Sequence, residues 1–389
     1  MLALELPRRL GAQRTNVRRA AGTARMTAVD SLLMIPGPTP LSPAVRAALA
    51  EPMRSHTSTE NAASMRRIAD GVRACVGSRS ARVYTFAGSG TLAMEAALIN
   101  HAAPGDRVVV CSHGFFGDRF SEIASAHGMH PATVQAPWGS AVRVSDVERA
   151  CSESAAPAVL TITHVDTSTG VLADCAGLAR IGRDAGAIVV VDGVCATGAV
   201  EELMDGWGVD VVLTGAQKAL SVAPGLAVLA VSERAQHRRA QLDVHAYYAD
   251  LQRWDPVVDD PTRYFSTHAT GLLRALEVSL DEIAAEGLPA RFARHRHVAE
   301  TLRSGFAELG FESLAGTDVL APTLSVLSVP SGVDEAALRR GLAERGVVVA
   351  GGLGPFAGRA IRVGHMGTVG DAEVSRTLEA ASNALSDLT

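Results

Sequence analysis

The sequence predicts an α/β protein with a mostly parallel sheet in a large domain and a smaller α/β domain at the C-terminal end. Between residues 79 and 232, short apolar runs of strand length alternate with stretches whose apolar residues recur at helical spacing. Strands that are apolar on both faces are typical of a parallel sheet covered by helices on both sides. After Ser232 the alternation stops, and a helical region leads into a second, shorter α/β pattern.

The first 30 residues are predicted to be an arm outside the folded domains. Residues 1–26 carry six arginines and one acidic residue, and they lack the apolar core of a secretory signal. We interpret them as a disordered arm or as sequence upstream of a true start at Met26, with a targeting peptide as the alternative. A strap at residues 31–50 follows, because the prolines of residues 34–40 exclude a helix until about residue 43.

The large domain is predicted to span residues 51–265. Its buried strands are expected at residues 82–86, 107–111, 158–164, 187–192, 210–214 and 226–231, where aliphatic and β-branched residues dominate. Helices are expected at residues 92–101, 118–126, 144–151 and 178–184, where the apolar spacing fits packing on a sheet. The domain is expected to end in a polar loop with aromatic residues at 245–265.

A linking helix and the small domain are predicted to span residues 266–389. One long helical region is expected at about residues 269–309. Strands are then expected at residues 324–329 and 361–363, and helices at residues 335–345 and 371–385.

Composition and charge exclude several classes of protein. With 47% hydrophobic and 20% charged residues in 389, the chain is globular rather than disordered or collagen-like. A net charge of −5 predicts no general affinity for nucleic acid, and no apolar run reaches the roughly 20 residues that cross a membrane. Five cysteines without a CxxC pair suggest neither a disulfide framework nor a clustered metal site, so a cytoplasmic location is expected.

Three motifs are predicted to meet at the carboxyl edge of the sheet, where open α/β sheets bind ligands. Residues 86–91, Phe-Ala-Gly-Ser-Gly-Thr, join a strand to a helix, and a helix N-terminus favours a phosphate. Asp192 ends one buried strand, and Lys218 follows the next one. Each motif alone also has a structural interpretation, since tight turns need glycine and a buried aspartate can cap a helix.

The ordered combination of these motifs matches what a pyridoxal phosphate site requires. A carboxylate stabilises the protonated pyridine nitrogen, so that the ring accepts electrons from a substrate carbanion. A lysine amine with a pKa lowered by apolar surroundings forms a Schiff base with the aldehyde and then moves the proton. Lys218 and Asp192 are therefore interpreted as catalytic residues.

The chain resembles the class V aminotransferases of fold type I, and within them the alanine-glyoxylate and serine-pyruvate aminotransferase group. The resemblance extends from about residue 33 to residue 385. It is carried by Pro36-Gly37-Pro38, residues 88–91 and 94–98, Gly114-Phe115-Phe116-Gly117-Asp118-Arg119, residues 163–170, Val191-Asp192, residues 215–220 with Pro224-Gly225, and residues 361–364. It implies a seven-stranded, mostly parallel sheet in the large domain, pyridoxal 5'-phosphate as the cofactor, and transamination.

The resemblance also implies roles for individual residues. Lys218 would be the Schiff-base lysine, Asp192 the partner of the pyridine nitrogen, and Phe116 the ring stacked on the cofactor. The other residues implied to bind the cofactor are Ser89, Gly90, Thr91 and Gln217 at the phosphate, Thr167 at the ring oxygen, and Val194 on the face opposite Phe116.

Two further groups complete the implied site. Arg362 would bind the substrate carboxylate with its planar fork of donors, with an interdomain ion pair as the alternative. Gly37 and Pro38 would line the same pocket. Tyr264 and Thr267 from a neighbouring subunit would complete the phosphate site, which implies a homodimer with shared active sites. No metal ion, nucleic acid or membrane is expected as a partner.

The predicted function is transfer of an amino group from a small amino acid, of alanine or serine type, to glyoxylate or pyruvate. A 2-aminoethylphosphonate-pyruvate type or a specialised biosynthetic aminotransferase of the same superfamily is the alternative. A cysteine desulfurase is disfavoured because Gln217 stands where those relatives place a histidine. A regulatory protein without catalysis is disfavoured because Lys218, Asp192 and Arg362 are all retained.

Overall fold

A seven-stranded, mostly parallel sheet forms the centre of the large domain, as the family resemblance implied, and six of its strands were predicted from the sequence pattern. The computed structural model describes residues 31–153 and 155–388, so the predicted arm lies outside the described residues. In spatial order the strands are Arg82–Ala87, Leu226–Val231, Val211–Gly215, Ile188–Asp192, Val159–Thr163, Arg107–Ser112 and His130–Gln135. Leu226–Val231 runs antiparallel to both of its neighbours, and the other six strands share one direction.

The sheet is buried on both faces. Along Ile188–Asp192, Val190 packs in one apolar cluster with Phe120, whereas Val191 packs in a second cluster with Leu178. Helices cover both faces, so every residue of this strand is buried. Fully burying one such aliphatic side chain stabilises the fold by about 1.5–3 kcal/mol.

The edge strand His130–Gln135 was not predicted from the sequence. Its residues are exposed or half-buried, so the strand lacks the continuous apolar run that marks the central strands. It also contains Pro131, which sheets tolerate at an edge because no second neighbour needs its missing N–H.

Thirteen α-helices are present in the part of the chain that the structure describes. They are Pro43–Leu49, Thr59–Val76, Gly90–Ile99, Phe115–Ala126, Val144–Ser152, Cys175–Asp184, Met204–Trp207, Glu233–Arg239, Leu251–Asp259, Thr270–Glu286, Leu288–Glu308, Glu335–Glu344 and Asp371–Ser386. The long helix Thr59–Val76 was not predicted. Ser58 caps its start by accepting the N–H of Asn61, and Gly77, with a φ of 66°, ends it. None of the helices described is long and apolar enough to span a membrane.

Of two expectations about the segment after Ser232, the loop is wrong and the helical region is confirmed with one break. The predicted loop at residues 245–265 contains the helix Leu251–Asp259, in which the buried Trp254 packs against the sheet. The predicted helical region at 269–309 is two helices, Thr270–Glu286 and Leu288–Glu308. The chain turns between them at Gly287, whose φ of 79° is accessible to glycine at little cost.

The small domain is built on a four-stranded antiparallel sheet. In spatial order its strands are Glu312–Ser313, Leu324–Ser328, Ala360–Gly364 and Ala350–Gly351. The strap contacts this domain, because its strand Leu32–Leu33 pairs in parallel with Val347–Val348. A further two-stranded sheet pairs Val165–Asp166 with Val171–Leu172. The boundary between the two domains at residue 265 stays a prediction.

Candidate active site

A cavity of about 140 Å³ lies at the carboxyl ends of the parallel strands. It is lined by residues of the three motifs and of the segments packed beside them. The lining residues are Ser89, Gly90, Thr91, Met94, Phe116, Arg119, Val165, Thr167, Asp192, Val194, Cys195, Gln217 and Lys218. The structure thus brings together all the predicted cofactor residues except Tyr264 and Thr267.

Lys218 lies in the turn after the strand Val211–Gly215, and the strap crosses directly over its side chain. Its Nζ donates a hydrogen bond to the carbonyl of Pro36. A Cβ atom on Gly37, whose φ is +107°, would lie 2.5 Å from Cδ of Lys218. Only glycine fits at this position, and the strap therefore closes one side of the space around the lysine.

Three hydrogen bonds fix the backbone of the turn that carries Lys218. The carbonyls of residues 218–220 accept them in order from Thr39 Oγ1 at 2.8 Å, Arg291 Nη2 at 2.7 Å and Ser279 Oγ. The next residue, Ser221, has a φ of +51°, a conformation that is strained for a residue other than glycine. Donors from the strap and from two helices thus hold a strained turn in place. None of these donors was predicted from the sequence.

Asp192 is the last residue of a strand that is buried along its whole length. Its Oδ1 accepts the backbone N–H of Val194 at 2.9 Å. Burial raises the pKa of Asp192 to about 7; the Val194 N–H and Lys218 oppose this shift, and the carboxylates of Asp166 and Glu202 add to it. A carboxylate in these surroundings is stabilised by a cationic partner in the cavity.

The turn at residues 89–91 presents polar groups to the cavity. Ser89 caps the helix Gly90–Ile99, and its Oγ accepts the N–H of Leu92 at 3.3 Å. The side-chain oxygen of Gln217 is buried and has no hydrogen-bond partner among the described residues. A helix N-terminus, two hydroxyl groups and an amide around one cavity are suited to bind an anion such as a phosphate.

Phe116 lies in the first turn of the helix Phe115–Ala126, and Asp166 fixes that turn. The buried Oδ2 of Asp166 accepts the N–H groups of Phe116 at 2.9 Å and of Gly117 at 3.2 Å. Its Oδ1 accepts the N–H and the O–H of Ser168. The carboxylate therefore caps the helix and holds the backbone of Phe116 at the cavity wall. No role was predicted for Asp166 from the sequence.

Arg362 lies on the small-domain strand Ala360–Gly364 and contacts Thr167 of the cavity wall, although it does not line the cavity itself. Its Nε donates to the carbonyl of Gly351 at 2.7 Å, and its Nη1 donates to the carbonyl of Thr167 at 3.4 Å. No carboxylate of the described residues forms an ion pair with it, so the interdomain ion pair considered above is not formed. The half-buried guanidinium therefore has further N–H donors that are free to bind the carboxylate of a ligand.

Tyr264 and Thr267 lie outside the cavity of their own chain. The Tyr264 side chain is 64% exposed, and its ring centre lies 5.2 Å from that of His56. Thr267 is exposed and lines a shallow groove together with Met53 and His56. Both side chains are therefore at the surface, where residues that act in a neighbouring subunit must lie.

His113 and His164 are buried and do not line the cavity. Burial lowers the pKa of His113. Burial also acts to lower the pKa of His164, but Cys175 and Glu202 outweigh it and raise that pKa to about 10. Nδ1 of His164 lies 3.0 Å from Oε1 of Glu202, and its backbone N–H donates to the carbonyl of Asp192. His164 thus supports the strand end that carries Asp192.

Four lining residues were missed by the sequence analysis: Met94, Arg119, Val165 and Cys195. Whether these side chains line the cavity depends on how the helices and strands pack. Among the four, only the charge of Arg119 was a sequence signal for a binding role. A stronger signal was present for the lysine. Lys218 is the only lysine in the 389-residue sequence, so it is the one side-chain amine available for a covalent link to an aldehyde.

The family model that matches this chain and two of its relatives are named as aminotransferases. The family model described as Aminotransferase class-V matches residues 44–357. The alanine--glyoxylate aminotransferase 1 of Saccharomyces cerevisiae is 34% identical over 363 residues, which cover 88% of this chain and 93% of the relative. The L-aspartate--glyoxylate aminotransferase of Paracoccus denitrificans is 30% identical over 368 residues, which cover 92% and 91% of the two chains.

The fold agrees with that of a solved relative. The crystal structure of an alanine--glyoxylate aminotransferase from Nostoc sp. superposes with a TM-score of 0.89 at 30% sequence identity. The match covers 94% of this chain and 98% of the other.

Proposed function

The chain belongs to the class-V aminotransferases, and from this premise we propose that it transfers the amino group of alanine or serine to glyoxylate or pyruvate. The enzyme is a pyridoxal phosphate-dependent aminotransferase, so its substrates are an amino acid and a 2-oxo acid. One observation carries the assignment of the site. Lys218, Asp192 and the turn at residues 89–91 line a single cavity at the carboxyl edge of the sheet.

The residues that line this cavity fit pyridoxal phosphate. The buried carboxylate of Asp192 needs a cationic partner, and a protonated pyridine nitrogen is one. The N-terminus of the helix Gly90–Ile99 and the hydroxyl groups of Ser89 and Thr91 mark the end suited to a phosphate, and the side-chain amide N–H groups of Gln217, which also lines the cavity, can donate there. Phe116 and Val194 supply apolar walls for a flat ring.

Each of these residues has a distinct task in the proposed reaction. Bound pyridoxal phosphate supplies an aldehyde carbon for the amino group and a ring that accepts the electron pair left by the departing α-proton. Lys218 would be the residue that holds the cofactor through its aldehyde carbon, and its amine would be the base that moves the α-proton of the substrate. Asp192 would stabilise the protonated ring nitrogen, and Phe116 and Val194 would exclude water from the ring faces.

Arg362 is proposed to bind the carboxylate of both substrates. We expect Arg362→Lys to raise KM for the amino donor and the oxo acid, with kcat/KM lower by about 10²-fold, because an ammonium cannot replace a planar pair of donors. Steady-state kinetics with both substrates checks this. The control is Arg359→Lys, because Arg359 is exposed and directly precedes the strand that carries Arg362. Equal kinetics in the Arg362 variant and the control would remove Arg362 from the site.

The proposed assembly is a homodimer in which each subunit completes the other's phosphate site. The exposure of Tyr264 and Thr267, outside the cavity of their own chain, supports this arrangement. A cytoplasmic location is proposed as well, and the five buried, unpaired cysteines are in keeping with it.

The donor is identified by the visible absorption of the cofactor-loaded protein. L-Alanine, L-serine, L-aspartate and 2-aminoethylphosphonate are added separately, and we expect alanine or serine to abolish the visible band and glyoxylate or pyruvate to restore it. A response to aspartate alone or to the phosphonate alone would contradict the proposed donor while leaving transamination in place. The relatives named above act on glyoxylate by name, and none of them favours the phosphonate.

A further inference from the structure

Arg119 lies between the turn at residues 89–91 and the ring of Phe116. It is half-buried on the helix Phe115–Ala126 and lines the cavity. Its Nη1 donates to Oγ1 of Thr91 at 3.0 Å. Its guanidinium carbon lies 4.8 Å from the ring centre of Phe116 and 5.2 Å from that of Phe115. The hydrogen bond and the two cation–π contacts together hold the guanidinium beside the cavity.

The charge of Arg119 is not balanced by a neighbouring acid. Among the described residues no carboxylate forms an ion pair with it, and Thr91 is its one hydrogen-bond partner. A guanidinium has five N–H donors, so most of its donors remain for a ligand. An anion that binds beside this half-buried cation would therefore find free donors and an unbalanced positive charge.

The cavity needs a cation at its phosphate end. Of the residues that line it, only Arg119 and Lys218 are cationic, and Lys218 is assigned to the aldehyde end. The other residues predicted at the phosphate are neutral; they are Ser89, Gly90, Thr91 and Gln217, with Tyr264 and Thr267 from the partner. A phosphate monoester carries a charge of about −1.5 to −2 near pH 7.

We propose that Arg119 is the cationic ligand of the cofactor phosphate. Thr91 Oγ1 and the two phenylalanine rings orient the guanidinium, which then donates charge-assisted hydrogen bonds to phosphate oxygens. The proposal rests on the proposed function, because that function assigns Lys218 to the aldehyde and the turn at residues 89–91 to the phosphate. A purely structural role, in which Arg119 only covers the aromatic rings, is the competing explanation.

Binding of two ligands to the cofactor-free protein separates these explanations. Pyridoxal 5'-phosphate and pyridoxal share the aldehyde and the ring, but only the first carries the phosphate. We expect Arg119→Met to raise Kd for pyridoxal phosphate by about 10- to 100-fold and to change Kd for pyridoxal by less than about 2-fold. Arg119→Lys, which keeps the charge but loses the fork, is expected to lie between the wild type and the methionine variant. Visible absorption or fluorescence titration gives both constants.

The control is Arg79→Met, whose side chain is 97% exposed and lies outside the cavity; both constants should match those of the wild type. Pyridoxal binding reports whether each variant keeps a folded site, and the lysine variant provides a second test if the methionine variant does not fold. Equal losses for the two ligands in either Arg119 variant, or no loss for either ligand, would overturn the proposal. Failure of the proposed function is distinguishable, because the wild type would then bind neither ligand covalently at Lys218.

Discussion

Replacing Lys218 by alanine is expected to lower kcat by about 10⁴-fold or more and to remove the visible absorption band of the lysine-bound cofactor. The reason is that this one amine is proposed both to bind the aldehyde carbon and to move the α-proton. No other side chain can take over the covalent role, because the sequence contains no second lysine. Turnover assays and absorption spectra of the variant and the wild type check this.

The matched control is Lys218→Arg, which keeps a cation beside the strap but removes the nucleophilic amine. We expect it to be as inactive as the alanine variant, which would show that nucleophilicity and not charge is required. Borohydride reduction of the loaded wild type should attach one cofactor per chain, at the peptide that contains Lys218. Retained turnover or an unchanged spectrum in the alanine variant would refute the assignment of Lys218.

Replacing Asp192 by asparagine is expected to change activity and stability in opposite directions. We expect kcat to fall by about 10²- to 10³-fold, because an amide does not stabilise a proton on the ring nitrogen as a carboxylate does. The cofactor-free protein should become more stable at and above neutral pH by a few kcal/mol, because the variant no longer buries a carboxylate. Kinetics of the loaded protein and chemical unfolding of the cofactor-free protein give the two results.

The difference in the free energy of unfolding between the wild type and the Asp192→Asn variant is expected to depend on pH. Burial raises the pKa of Asp192 to about 7, so the folded cofactor-free protein binds this proton more tightly than the unfolded chain does. Between the ordinary carboxyl pKa near 3.8 and about 7, rising pH should therefore lower the free energy of unfolding of the wild type relative to the variant. Above pH 7 the difference should be constant. A difference that does not change with pH would show that Asp192 is not a destabilising buried carboxylate.

Binding of pyridoxal phosphate is expected to offset the destabilisation that the buried Asp192 carboxylate causes in the wild type. A protonated ring nitrogen adds a cation beside the Asp192 carboxylate to the partial support that Lys218 gives it, so the cofactor is expected to stabilise the wild type more than the variant. Thermal unfolding with and without the cofactor measures the two stabilisations. This result ties the stability of the chain to the role proposed for Asp192.

The positions of six of the seven large-domain strands along the chain and the position of the site were accessible from the sequence, because both depend on local patterns. A buried parallel strand needs an uninterrupted apolar run, and such runs are visible in residues 187–191 and 226–231. Since the carboxyl ends of parallel strands meet at one edge, Asp192 and Lys218 could be placed together before any contact was known. The edge strand His130–Gln135 was not predicted, because a strand that is partly exposed does not need an uninterrupted apolar run.

Polar composition predicted a loop in one segment where packing favours a helix. The segment at residues 245–265 is polar and contains Pro256, yet Leu251–Asp259 is helical because burial of Trp254 and Val257 against the domain favours the helix. The break at Gly287 was hidden inside a continuous helical pattern, since a single glycine is tolerated in one.

The sequence by itself determined the α/β class, the positions of six large-domain strands along the chain and the meeting of a lysine, an aspartate and a glycine-rich turn at one sheet edge; the order of the strands in the sheet came from the tertiary structure. Only the tertiary structure decided that the strap carbonyl of Pro36 contacts Lys218, that Asp166 holds the backbone of Phe116, and that Arg119 contacts the turn at residues 89–91. The physical reason is the range of the interactions. Hydrophobic periodicity repeats within a few residues and can be read along the chain, whereas these contacts join side chains and carbonyls that lie far apart in sequence and meet only when the helices and the strap have packed on the sheet.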